Sequence, residues 1–297
     1  ESMNFSVYIE YIIFILYIKK VSRLNLKSVF LRQFIHEIQY HNRNPKDIKA
    51  LELLDDISTN PEIVIEPNAL LYRCRIVTDK KDIGKEENFY GYNAQESFVP
   101  PPKATRDMRA NYRYIPYLYC ANNPYISLVE VRPPLGSLIS IATIEVTEPI
   151  RLLDFTVQQK PSKMTEAKRN LFLDLSMLYS TPVANTDDIL DYIPTQYIAE
   201  YAKSKGYDGI AFSSSLVPYI NQKHPERCNV VVFNYKKCFV KSSNLISITG
   251  IDIESKQIDD DVRKIDVRSF IGEALDEIHQ QQMAIINQQN NFIKRKI

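Results

Sequence analysis

Glycine is scarce: seven occur in 297 residues, and none falls in a G-x-G-x-x-G or G-x-x-x-x-G-K-[ST] pattern. The chain therefore offers no glycine-cradled helix N-terminus for a dinucleotide or a nucleoside triphosphate, which excludes the Rossmann and P-loop classes. Cysteine is equally sparse. Cys74, Cys120, Cys228 and Cys238 are far apart, no C-x-x-C occurs, and only four histidines are present. Neither a zinc site nor a disulfide framework is indicated, and reduced thiols in a cytoplasm are the simplest account. Charge of one sign is missing too. Lys+Arg 37 against Asp+Glu 36 leaves a net +1, so no long-range field draws the chain to nucleic acid, and direct nucleic-acid binding is disfavoured. Long apolar runs are also absent. "VYIEYIIFILYIKK", residues 7–20, is interrupted by Glu10 and is unbroken only over 11–18. That falls short of the roughly 20 residues a membrane-spanning helix needs. No basic n-region or small-residue cleavage site flanks it, so a buried helix is the expectation rather than a membrane segment. Glu1 and Ser2, ahead of Met3, read as a cloning remnant.

What is present is an ordinary globular composition, 44% apolar and 25% charged, of a length that fits one large domain or one domain with an appendage. Apolar positions recur at helical spacing in "SVFLRQFIHEIQY" and "DIKALELLDDI", with a turn at "HNRNPKD" between them. From "ALLYRCRIV", residues 69–77, the period changes to that of a strand, with Tyr72, Cys74 and Ile76 on one face and Arg73 and Arg75 on the other. Residues 78–107 read as a long polar loop, usually a functional or mobile feature. "IPYLYCA", "SLISIATIEV", "IRLLDF", "DGIAF" and "NVVVFNY" read as strands, and residues 244–254 as a final one. Asn123 followed by Pro124 is a helix-start signal. Residues 164–179 form a helix, and "PTQYIAEYAKSKG" another, capped by Thr195 and stopped at Gly206. The predicted architecture is α+β: a domain over 66–255, a helical N-terminal extension over 1–65 and a helical tail over 256–297.

Several side chains offer chemistry. Arg73 and Arg109 suit a pyrophosphate, because the guanidinium fork makes bidentate contacts to phosphate oxygens. On spacing alone they are equally well surface arginines. Tyr119 can stack on a flat heterocycle or be one core tyrosine among 19. Glu130 lies between Val129 and Val131. It is either solvent-facing or half-buried, and half-buried beside a sugar it would hydrogen-bond a hydroxyl and stabilise positive charge at the anomeric carbon. The Ser213–Ser215 run follows a strand, where site residues and plain turns both occur. Gln196 reads as a helix-start residue. His36, His41, His224 and His279 show no partner arrangement for catalysis.

Order and spacing tie these together. "LYRCR", the "RAN" of residues 109–111, "IPYLYCA", "SLVEVRP", "PTQYIAEY" and "DGIAFSSSL…NVVVF" follow one another between residues 66 and 236. The succession resembles the RES domain family, named for an Arg, a Glu and a Ser in one pocket. The resemblance assigns Arg73, Glu130 and Ser214 as the catalytic set, with Ser214 chosen from Ser213–Ser215. It assigns Arg109, Tyr119, Tyr72 and Asn111 to substrate binding. Three positions depart from the pattern: Met108 and Tyr114 stand where glycines are usual, and Ala110 replaces an aromatic. A turn needing positive φ at those sites is expected to be made differently.

The resemblance implies a compact twisted β core like that of ADP-ribosyltransferases, with helices around an NAD cleft, and a HEPN-like N-terminal extension. It implies a toxin of a toxin–antitoxin pair that degrades NAD by phosphorolysis or hydrolysis, with an Xre-type antitoxin as partner. NAD is then substrate, inorganic phosphate a candidate co-substrate, and no metal or resident cofactor is called for. Two alternatives stay open: an ADP-ribosyltransferase acting on a protein or nucleotide acceptor, and a non-catalytic NAD-binding or assembly module. Homo-oligomerisation is left open.

Overall fold

Strand alternation and helix caps organise the chain around one sheet. The structure, a computed structural model, describes residues 26–46, 48–84, 86–156, 164–181, 189–214, 216 and 228–251. Lys27–Asp252 is one of two compact units, and of the other only Leu26 is described. The apolar run at 7–20, the tail from 256, Ser215, His224 and His279 lie outside the described residues.

Among the described residues eight strands form a single mixed sheet: β1 (Glu62–Ile65), β2 (Leu70–Ile76), β3 (Leu118–Ala121), β4 (Leu138–Val146), β5 (Ile150–Phe155), β6 (Gly209–Ser213), β7 (Cys228–Val232) and β8 (Cys238–Ser247). Their spatial order is β1-β5-β6-β7-β3-β2-β4-β8. Among the described strands only β5 and β6 pair in parallel. Parallel neighbours need a crossover, and two helices lie in it, α5 (Glu166–Ser180) and α6 (Ile189–Ser204), both packed on the sheet. Before them come α1 (Val29–Tyr40), α2 (Lys49–Asp55), α3 (Ala94–Ser97) and α4 (Pro124–Glu130). The predicted α+β class is the observed one. Leu71, Leu118, Ile144, Ile150, Leu152 and Val232 form the centre of the core, each almost wholly buried.

Four local expectations are corrected. Residues 62–65 are a strand rather than part of a helical extension. Glu62 to Ile65 pair antiparallel with β5, and a four-residue edge strand is too short to show a period. Among the described residues the last strand is β8, Cys238–Ser247, and 248–251 do not continue it; the end of the expected 244–254 strand lies outside them. β8 starts early because residues 238–247 pair along β4 through a bulge. The 78–107 segment is structured: Ser243 donates its N–H to Asn88 O and accepts from Tyr90 N–H at its own carbonyl, so the segment covers the open edge of β8. Finally, α6 begins at Ile189, and Thr195 lies inside it with Pro194. Proline leaves the carbonyl four residues back without its helical donor. Here that carbonyl is Leu190 O, and Gln39 Nε2 of α1 donates to it at 2.7 Å.

Candidate active site

β2 and β3 are sheet neighbours that share one ladder pair, Tyr72 opposite Ala121. Buried backbone groups beyond that pair need other partners. Cys74 N–H donates to Ser127 Oγ of α4 at 2.8 Å, which pins α4 to β2. The start of α4 is set by Asn123, whose Oδ1 accepts from Tyr125 N–H, and by Pro124 in the first turn. Across this junction lies a cleft of about 360 Å³, lined by residues of β2, β3, β6 and β7, the end of α4, the 108–109 turn, Tyr179 and Tyr192. That volume is within the usual range for small-molecule sites.

Glu130 is the last residue of α4 and is exposed to the cleft. A carboxylate at a helix C-terminus opposes the helix dipole, at a cost of about 0.3–1 kcal/mol. Its partners offset that cost: Ser214 Oγ donates to Glu130 Oε1 at 2.6 Å, and Asn229 Nδ2 donates to the same oxygen at 2.7 Å. Both donors take one oxygen, and neither meets Oε2. Of the two described serines of the run, Ser214 is the one whose hydroxyl reaches Glu130, while Ser213 lines the cleft.

Arg73 and Arg109 line the same cleft. Arg73 Nη1 donates to Ser97 O at 3.2 Å, at the end of α3. Burial pulls its pKa down to about 10, with the neighbouring Arg75 charge adding to the effect. Arg109 sits on a two-residue turn closed by backbone bonds between Met108 and Asn111. Its guanidinium donates to Tyr179 O, and to Thr181 O at 2.6 Å, so it occupies the carbonyl end of α5. Burial lowers its pKa as well, and Tyr192 and Glu130 oppose the shift. Among the described residues neither guanidinium forms an ion pair with a carboxylate. Partly desolvated cations are costly, and an anion entering the cleft offsets that cost.

Tyr119 presents its ring to the cleft while its hydroxyl is spent elsewhere. It donates to Asn111 Oδ1 at 2.7 Å and accepts from Ala110 N–H at 3.1 Å. Burial raises the phenol pKa, which keeps it a neutral donor. Asn111 is itself buried and lies outside the cleft lining; its Nδ2 donates to Arg106 O and Tyr112 O. The structure thus places Asn111 behind the turn. Tyr72 is also outside the lining, at the β2–β3 pair.

Sequence reasoning missed Asn229, Tyr192 and Arg132. Asn229 is a lone amide in the fully buried strand "CNVVV", and that contrast was the available signal. Arg132 lines the cleft mouth with a left-handed φ of 45° just past α4. Among the described residues no cluster of His, Cys, Asp and Glu is placed to hold a metal ion.

The family model described as the RES domain matches residues 72–249, more than half of the chain. This chain belongs to the RES domain family. No curated protein matches it. Among solved structures it is similar to a chain of the M. tuberculosis MbcT–MbcA toxin–antitoxin complex, at 14% identity and a TM-score of 0.41, over 67% of this chain and 92% of that one. Arg73, Glu130 and Ser214, which the sequence resemblance assigns as the catalytic set, come together here, the first two in the cleft lining and Ser214 on the Glu130 carboxylate.

The departures from the RES pattern resolve individually. Met108 and Ala110 have ordinary backbone geometry, and Ala110 is fully buried. Tyr114 does not avoid the turn: it adopts φ of 70° itself, in the region that favours glycine.

Proposed function

We propose that this RES domain protein is a toxin-like enzyme that cleaves the nicotinamide–ribose bond of NAD, by phosphorolysis or hydrolysis. The observation that carries the reading is the Glu130 carboxylate, fixed by Ser214 and Asn229, in one cleft with two half-buried arginines that form no ion pair among the described residues. The bond between the ribose C1′ and the nicotinamide nitrogen breaks with its electron pair passing to the ring, which leaves as a neutral pyridine. Positive charge develops on the ribose, and a fixed carboxylate is the group that stabilises it. Glu130 Oε2 takes that role and anchors the ribose hydroxyls. Ser214 and Asn229 hold the carboxylate in place. Arg73 and Arg109 bind the pyrophosphate, or admit inorganic phosphate as nucleophile. The Tyr119 ring stacks near the nicotinamide. Phosphate attacks as an anion and needs no base, whereas water must shed a proton to solvent. The sheet recruits residues 62–65, so the catalytic unit is proposed to begin at β1 and to run to about residue 255. An Xre-type antitoxin that covers the cleft is the proposed partner, and the cytoplasm the proposed compartment.

The test is to incubate the purified chain with NAD, with and without inorganic phosphate, and identify products by mass. ADP-ribose-1″-phosphate formed only with phosphate identifies a phosphorylase, and free ADP-ribose a hydrolase. NAD left intact unless a protein or nucleotide acceptor is added would replace cleavage by ADP-ribose transfer. NAD bound but never consumed would leave a binding module.

A further inference from the structure

The Arg109 turn is held by a side chain that the reaction itself does not use. Gln196 is 1% exposed, in the middle of α6. Its Nε2 donates to Met108 O at 2.9 Å and to Asn111 O at 2.8 Å, the two carbonyls that flank Arg109 and Ala110. Both N–H groups of one buried amide thus close a single two-residue turn from outside the cleft. Gln196 Oε1 is buried with no partner, a cost that an apolar side chain would avoid, so the two donors are what keep an amide at this position. The opposite side of the turn is closed by Asn111 and the Tyr119 hydroxyl. Arg109 then reaches the end of α5, eight residues ahead of α6 in sequence, through Tyr179 O and Thr181 O.

We propose that Gln196 is a positioning residue for anion capture: it fixes the turn from which Arg109 meets the phosphate oxygens of the substrate. Of the proposed function, the inference rests on one part alone, that Arg109 binds phosphate groups in the cleft. Gln196 touches no substrate and acts only through Arg109. Its loss is therefore felt as weaker anion binding, and only while Arg109 is present.

The test is a double-mutant cycle with inorganic pyrophosphate as the probe, read by titration calorimetry, with hydrogen exchange over residues 106–112. Gln196→Met keeps the side-chain length and removes both donors. The expected result is a folded protein with faster exchange at 108–111 and pyrophosphate affinity lowered about tenfold, the equivalent of one hydrogen bond. Arg109→Met should bind at least as weakly, and the double variant no more weakly than Arg109→Met alone. Wild-type affinity in folded Gln196→Met, or losses that simply add, would overturn the proposal. Should Gln196→Met not fold, Gln196→Asn, whose amide is too short to span both carbonyls, takes its place. Failure of both to fold would make the role purely structural and also overturn it. A wild-type chain that binds pyrophosphate but leaves NAD intact sinks the cleavage reading and not this one. A wild-type chain that does not bind pyrophosphate sinks this one.

Discussion

Tyr114 holds a left-handed backbone with a full side chain that is 61% exposed. That region costs a residue with a Cβ roughly 1–2 kcal/mol. Glycine's added freedom in the unfolded chain takes back roughly 0.5–1 kcal/mol of any relief. Tyr114→Gly is therefore expected to stabilise the protein by up to about 1 kcal/mol, a rise of about 2 °C in melting temperature. A fall would show that the exposed ring contributes more than the strain costs. Arg73, Arg109, Tyr119 and Glu130 were legible as candidates because their chemistry is carried by the side chain alone. Their partners were not. Nothing in "CNVVV" says that Asn229 meets Glu130 across 99 residues of chain, and nothing in "PTQYIAEY" distinguishes a helix-start glutamine from a buried clamp.

Among the elements, α4 and β2 decide the site's geometry, since one carries Glu130 and the other Arg73. Their tether is the bond from Cys74 N–H to Ser127 Oγ, both residues buried. Ser127→Ala leaves that N–H without a partner and is expected to cost about 1–3 kcal/mol. Thermal unfolding checks it, and an unchanged melting temperature would mean that a ladder bond to β3 takes over. Helix and strand interiors were readable from periodicity, as α5 shows. The α4 start was readable from Asn123-Pro124, and the α6 stop from Gly206, whose φ is 85°. The α6 start was not, because Leu190 O is satisfied by Gln39 from α1, 151 residues away in sequence. Tertiary contacts of that kind override local signals.

For the molecule as a whole, Asp154 is an identifiable contributor in the core to the pH dependence of stability. Asp154 is 1% exposed, Thr156 N–H donates to its Oδ1, and its Oδ2 is buried without a partner. Burial raises its pKa above the usual carboxylate value. The native state therefore binds its proton more tightly than the unfolded state, and its contribution to stability declines as pH rises from the unfolded pKa through the raised one. Asp154→Asn is expected to be more stable than the wild type at pH 7.5, with the difference shrinking as pH falls towards 4. Melting curves across that range check it, and a constant difference would assign the effect to packing instead.

The account as a whole turns on one charge. Glu130→Gln retains an acceptor for Ser214 and Asn229 and removes the negative charge that the ribose cation needs. NAD consumption by this variant should fall by at least about 10²–10³-fold while its melting temperature stays that of the wild type. NAD consumption at the wild-type rate by the folded variant would contradict the mechanism.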